Sequence, residues 1–357
     1  MHLNRTARIL GATLAVSLLL ASCVEGGRSS APTASGEESQ CPWEPDESIE
    51  TTATLGFQNV PNGDIVVKDL GILESCMPNA SIKWSNFPSG ADVVQAFNSG
   101  GIDLGLAGSS PSTIALSAPL DLPVSVVWIH DVIGEAEALV VRDKSVEDIT
   151  DLKGEKIAVP FSSTTHYSLL QALNEAGMRP SRDVDVINLQ PEAMPAAWQG
   201  GQIAAAWVWN PTLATLSKTG SVILSSADTA DAGRPTFDLG LGDNAFIKDN
   251  PEFMTQWAKA QDHAVKMINE DPDAAAESVA VGLSLDSVDD AKALFDGLTY
   301  LPAAEQASPE WLGGKLGKDL FSTAKFLKSQ GEIKAAGTEK AYEAAINPKP
   351  AKEASDG

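Results

Sequence analysis

The sequence predicts an α/β protein built as two doubly wound lobes joined by two crossover segments, and three observations predict it. From Ile49 onward short apolar runs alternate with amphipathic ones, the pattern of repeated strand–helix units. That pattern halts at an apolar segment, Ala138–Val141, and then begins again, so the chain makes two α/β halves. Several strands run straight into a polar turn and a helix, which is where α/β sheets hold ligands.

Taken in order, Thr52–Phe57 reads as a strand, Asp64–Leu73 as a helix, Ser81–Phe87 as a strand, Gly90–Asn98 as a helix and Ile102–Ala107 as a strand. The strands are short apolar or β-branched runs bounded by Gly, Pro, Asn or Ser. The second half repeats the theme with Lys156–Pro160, Thr165–Glu175, Val184–Asn188, Met194–Gln199 and Ile203–Trp207. Leu169, Leu170, Leu173 and Ala176 form the buried stripe of its first helix. After Thr236–Leu241 the character turns helical, in Pro251–Asn269, Pro272–Val281, Val288–Gly297 and Glu310–Gln330. Repeated βα units imply parallel sheets. Crossovers at about Ala138–Val141 and Thr236–Leu241 divide the chain into lobe I, residues 49–139 and 237–347, and lobe II, residues 140–236. The C-terminal helices are expected to pack on lobe I, residues 348–357 to form a disordered tail, and a hinged clamshell to hold its ligand in the cleft.

Charge narrows the function. Of 357 residues, 25 are Lys or Arg and 48 are Asp or Glu, a formal charge of −23. Such a chain repels a phosphate backbone and has no counterion release to drive nucleic-acid binding. With 43% hydrophobic and 20% charged residues it is neither disordered nor polytopic. Arg5 and Arg8 precede an apolar stretch, Ile9–Leu20, too short for a comfortable span, so residues 1–22 read as a signal peptide. Leu20-Ala21-Ser22-Cys23 resembles the lipobox of bacterial lipoproteins. Lipidated Cys23 would anchor the chain to the outer face of the cell membrane, or the protein would lie in the periplasm, and two acyl chains suffice for lasting attachment. Residues 23–48 are Gly, Ser, Glu and Pro rich and read as a flexible tether. Export leaves Cys41 and Cys76 in an oxidising compartment, either as a disulfide or as two buried thiols.

Three strand–turn–helix motifs carry the candidate chemistry: Gly56-Phe57-Gln58, Ala107-Gly108-Ser109-Ser110-Pro111, and Val159-Pro160-Phe161-Ser162-Ser163-Thr164-Thr165. In the second, Pro111 suits the first helical position and Ser110 can cap. In the third, four hydroxyls lead into a helix. Free amides and the helix dipole make both ends anion sites, one from each lobe. The plainer reading is that these Ser and Thr residues only cap helices.

The stretch Ile157-Ala158-Val159-Pro160-Phe161-Ser162-Ser163-Thr164-Thr165-His166-Tyr167-Ser168-Leu169-Leu170 resembles the taurine-binding proteins of bacterial ABC importers. So do Val186-Ile187-Asn188-Leu189-Gln190-Pro191, Ala196-Ala197-Trp198-Gln199, Val208-Trp209, Ser89-Gly90-Ala91 with Gly108-Ser109-Ser110-Pro111, and Glu137-Ala138-Leu139-Val140-Val141. The resemblance spans about Thr51 to Gly331. It implies a type II periplasmic-binding-protein fold, a monomer that binds without catalysis or cofactor, and delivery to a permease and an ATPase. Taurine needs donors for a sulfonate and acceptors for an ammonium. Ser110, Ser163, Thr164 and Thr165 are the hydroxyls expected at the anion, Gln58 and Ser109 are further ligand-binding candidates, and Asp238 first and Glu137 second are expected at the ammonium. Trp207 and Trp209 share one strand face, so one can fill the core while Trp209 stacks over the ammonium. Where the family tends to carry Leu-Asp-Val-Trp, this chain has Phe237-Asp238-Leu239-Gly240, and the missing indole is expected to leave room for a larger aminosulfonate or another small zwitterion.

The rival readings are an enzyme akin to pyrimidine-synthesis proteins of thiamin metabolism and a surface sensor of the same ligand. His130, His166 and His263 lie in no metal-ligand spacing, and no Walker loop or Gly-x-Ser-x-Gly elbow occurs, so neither metal nor catalysis is expected.

Overall fold

The computed structural model describes residues 41–355. The proposed signal peptide, lipidation at Cys23 and most of the tether lie outside the described residues. Among the described residues eleven strands form two sheets: β1 Thr52–Phe57, β2 Ser81–Asn86, β3 Leu104–Gly108, β4 Val124–Ile133, β5 Glu137–Val141, β6 Lys156–Val159, β7 Asp185–Asn188, β8 Ala205–Trp209, β9 Ser221–Ser225, β10 Thr236–Asp243 and β11 Leu298–Thr299. The lobe I sheet has the order β11-β4-β10-β3-β1-β2 and the lobe II sheet the order β7-β6-β8-β5-β9.

Neither sheet is purely parallel as the βα pattern implies. Strands β1, β2 and β3 are parallel, but β10 returns from lobe II and inserts antiparallel between β3 and β4. In lobe II, β6 is parallel to β7 and β8, while β5 runs antiparallel to both β8 and β9. The strand that leaves one lobe and the strand that comes back must run in opposite directions, so each crossover contributes an antiparallel member. The passages are also earlier than the sequence suggests. The chain leaves lobe I through residues 134–136, where the Gly134 and Ala136 amides donate to the Gly297 carbonyl. Glu137–Leu139 therefore belong to lobe II, because their backbone pairs with Trp209, Val208 and Trp207.

Lobe I holds one core, with Leu55, Val93, Leu104, Trp128, Leu239, Phe253 and Trp257 packed across its sheet and helices. Lobe II splits its core over two sheet faces. Leu139, Val159, Leu169 and Trp207 lie on one, and Ala138, Val140, Trp198 and Val208 on the other, following the period-two alternation of a doubly covered strand. The C-terminal helices pack on lobe I, and from Lys315–Gln330 Phe326 meets lobe II's Tyr167 edge to face, with ring centroids 5.4 Å apart.

Three further expectations are corrected. Asp64–Leu73 is two helices, Gly63–Asp69 and Ile72–Cys76, because Gly71 adopts φ +58° between them. Residues 41–48 are held down: Cys41 and Cys76 form a disulfide, the Trp43 indole donates to Gln256 and the Asp46 amide to the Cys76 carbonyl. The expected disordered tail contains the helix Lys349–Ser355, whose Pro350, Ala351 and Ala354 are buried, with Thr255 of the long helix Pro251–Glu270 donating to Glu353 at 2.8 Å.

Candidate functional site

At the carboxyl ends of the parallel strands, the two lobes border a small, partly open cavity of ≈ 20 Å³. From lobe I come Gln58, Val60, Gly90, Gly108, Pro111 and Asp238; from lobe II come Glu137, Ser163, Thr164 and Trp209. A wider, open depression bordered by Arg142, Lys156 and Gln202 lies at the opposite end of the lobe II strands, away from where α/β sheets place ligands.

Two helix beginnings meet at this cavity. On lobe I, Ser109–Ala115 follows β3 with no side-chain cap, since Gly108 occupies that position. The Ser109 hydroxyl accepts from the Phe237 amide at 3.3 Å, Ser112 donates to the Ala107 carbonyl at 3.1 Å, and the Ser110 hydroxyl is buried without a partner. On lobe II, Thr164–Glu175 is capped by Ser163, which accepts from the His166 amide at 3.1 Å and donates to the Pro160 carbonyl at 2.6 Å. Ser162 before it holds φ +62°, an uncommon region for a residue with a Cβ. First-turn amides have no intrahelical acceptor, so both ends retain donors for an anion.

The approach is close enough to exclude any side chain at Gly108: a Cβ there would sit 2.5 Å from Thr164 Cγ2. A Cβ on Gly90 would lie 2.7 Å from the Pro111 ring. These glycines permit the lobes and helices to come together.

Acids lie beside these helix beginnings. Glu137 accepts from the Thr164 hydroxyl at 2.6 Å and from Ser226 at 3.3 Å. Burial, and then the neighbouring Asp238, push its carboxyl up to about 8 against the lowering effect of those hydroxyls. Burial raises half-buried Asp238 to about 7. A third acid was not singled out from the sequence. Asp131 of β4 does not itself line the cavity; it is the direct partner of Asp238 across the β4–β10 pair, is fully buried, and neither of its carboxylate oxygens has a hydrogen-bond partner. Burial, then Asp238 and Glu137, raise it well above the carboxylate range. The available signal was an acid within the apolar run Val126–Val132; what makes it matter is the register that sets it beside Asp238. Among the described residues no ion pair joins any of the three to Lys or Arg.

Of the residues expected at the site, Gln58, Glu137, Ser163, Thr164, Trp209 and Asp238 line the cavity, while Ser109, Ser110 and Thr165 are buried just behind it. Several hydroxyls are already engaged locally. Thr165 bonds the Ser163 hydroxyl at 2.7 Å and Thr164 serves Glu137, so for an anion the backbone amides matter more than these side chains. Gln58 donates to the Leu106 carbonyl at 3.0 Å. Half-buried Trp209 pairs with Glu137 across β5 and β8, and Trp207 is core.

The expectation that Gly240 leaves room in the site is overturned. A Cβ on Gly240 would meet Trp128, the Trp257 ring at 3.2 Å and His130 at 3.3 Å, inside lobe I, and Gly240 does not line the cavity. The volume an indole would take is filled by neighbouring core rings. The histidines are structural: His130 faces Asp64 at 3.8 Å, His166 stacks on Phe161 and accepts from the Ser162 amide at 3.2 Å, and His263 meets Trp43 edge to face. Burial lowers His166 to about 4. Among the described residues no group of His, Cys, Asp and Glu could hold a metal.

Two α/β lobes, two passages between them and one cavity at their strand ends define a periplasmic-binding-protein fold. Among solved structures it is similar to the periplasmic aliphatic sulphonate binding protein SsuA from Escherichia coli, with a TM-score of 0.66 at 23% identity, covering 81% of this chain and 96% of that one. It is also similar, at a TM-score of 0.60 and 13% identity, to the desulfurization enzyme DSZB, over 86% of this chain and 99% of that one. Residues 50–284 match the NMT1-like family, and the chain belongs to it. By sequence it is 38% identical over 261 residues to the taurine-binding periplasmic protein of Escherichia coli strain K12, covering 72% of this chain and 80% of that protein.

Proposed function

We propose that this chain is an extracytoplasmic substrate-binding lipoprotein that captures taurine without chemical change and delivers it to the permease and ATPase of an ABC importer. The single observation that carries the reading is the make-up of the cavity: two helix beginnings with first-turn amides, and beside them carboxylates that, among the described residues, have no Lys or Arg partner. A sulfonate fits the first and an ammonium the second. The small volume favours a short spacer between them. The family and the 38% identical taurine-binding relative support the same ligand class. Taurine is net neutral, so a protein of charge −23 meets no long-range penalty in attracting it, as it would with sulfate. Because each lobe contributes one helix end and at least one acid, ligand favours the closed arrangement.

Calorimetric titration of the soluble module with taurine, a longer alkanesulfonate, glycine betaine, sulfate and β-alanine tests this. Taurine should bind best. β-Alanine should bind worse by about 1–3 kcal/mol, since a planar carboxylate lacks the third oxygen and leaves a buried donor unpaired. Equal binding of taurine and β-alanine would refute the sulfonate assignment.

A further inference from the structure

Asp131 presents a physical problem. A buried carboxylate without hydrogen bonds or a cation is costly, and the usual resolution is that it carries a proton or meets a partner. It lies directly across from Asp238, and residues so paired in an antiparallel sheet present their side chains on one face, with Cβ atoms about 4.5–5.5 Å apart. The β4–β10 register slips by one residue immediately beyond, between Asp238 and Leu239. Bulges of this kind re-aim side chains. Here His130 turns into the core, edge to face with Trp257 and 3.8 Å from Asp64, and leaves Asp131 with the cleft acid.

The groups facing Asp131 come from every neighbouring element. They are Asp238 on β10, Glu137 on β5 and the Tyr300 phenol following β11. Tyr300 donates to the Pro61 carbonyl, so its proton is committed elsewhere. His130 on the same strand is engaged with Asp64, to which Gln261 donates at 2.7 Å. Glu137 has two hydroxyl donors of its own. Asp131 and Asp238 are the adjacent acids with the fewest donors, and two like charges so close and so buried cannot both ionise unaided.

We propose that Asp131 is a specificity residue for the ligand's cationic end: in the empty cleft it shares one proton with Asp238, and an incoming ammonium displaces that proton to solvent. The exchange balances. One carboxylic acid O–H is lost, the proton goes to water or buffer, and Asp238, the member of the pair that lines the cavity, accepts N–H bonds from an ammonium that keeps its own protons. The proposal rests on the reading of the ligand as an aminosulfonate and adds that the pair selects against ligands lacking a cation. These cannot displace the proton and find one carboxyl still neutral and one charge unpaired.

Titration of the wild-type protein with taurine in buffers of different ionisation enthalpy reads the protons directly. Taurine should release about one proton near pH 7, and its dissociation constant should rise about tenfold per unit fall in pH over the range in which the empty pair holds a single proton. Ethanesulfonate should release none and bind far more weakly. Asp131→Asn, nearly isosteric, should lower the released proton count by about one and flatten the pH slope; circular dichroism and unfolding check its fold. Taurine binding without buffer-dependent heat, or an Asp131→Asn protein with the wild-type proton count, overturns the proposal while leaving the ligand assignment intact. No taurine binding at any pH overturns both.

Discussion

Gly108→Ala isolates the contact between the lobes. The substitution suits lobe I by itself: the backbone there has φ −58°, which any residue adopts, and within lobe I the new methyl would have Asp238 Oδ1 at an ordinary 3.5 Å. Against lobe II, however, it would lie 2.5 Å from Thr164 Cγ2. Carbon atoms pack at about 3.5–4.0 Å, so the lobes must part by about 1 Å or more at this point or distort. Overpacking of this kind costs about 1–3 kcal/mol. An open cleft escapes that cost, so it appears in ligand binding, as a roughly 5- to 150-fold weaker taurine dissociation constant. Calorimetric titration and thermal unfolding with and without taurine measure it. The ligand-free melting temperature should move little and the ligand-induced rise should shrink. Thr164→Ser removes the offending methyl and keeps the hydroxyl on Glu137, so the double variant should recover most of the lost affinity. Wild-type affinity in Gly108→Ala, or no recovery in the double variant, refutes the closed helix-to-helix geometry.

Other perturbations follow from the same structure. Asp238→Asn should weaken taurine by about 3–5 kcal/mol, because one partner of a buried charge pair is removed. It should also change the pH dependence of the ligand-free fold. Asp238 is raised to about 7 in the folded protein, against about 4 when unfolded, so between those values the folded state holds more protons and stability falls as pH rises. Unfolding midpoints across that window should decline less steeply in Asp238→Asn; an unchanged slope counts against burial of this acid. Replacing Cys41 and Cys76 by Ser opens a link across 35 residues and should lower stability by about 3–4 kcal/mol on the chain-entropy view, as denaturant unfolding will show. Cys23→Ala in the full-length exported chain should move the protein from the detergent to the aqueous phase on partitioning; retention with detergent disproves anchoring through that residue.

Local features were readable wherever their physics is local. Thr52–Phe57 and Gly90–Asn98 have the bounds that period and punctuation suggest, while the helix expected from Thr165 begins one residue earlier, at Thr164, with Ser163 as its cap. Glu137 and Asp238, picked because they sit beside passages between lobes, both line the cavity. The hydroxyl turn was readable as a helix beginning, but the partners of its side chains were not. Thr164 reaches Glu137 and Thr165 reaches Ser163, and that competition depends on distances no pattern encodes. Gly240 shows the reverse error: a missing ring was assigned to the cleft, although Trp128, Trp257 and His130 surround the position in the core.

By itself the sequence determined the two-lobed α/β class and the helix beginnings with free amides, because hydrophobic period, turn chemistry and capping act over a few residues. Only the tertiary structure decided the strand order, with β10 between β3 and β4, and with it the buried acid set beside the cleft residue Asp238. Asp131 and Asp238 are distant in the chain and adjacent in space. Their proximity, the absence of a cation beside them and the resulting hold on a proton arise from a sheet register fixed by the packing of the whole of lobe I.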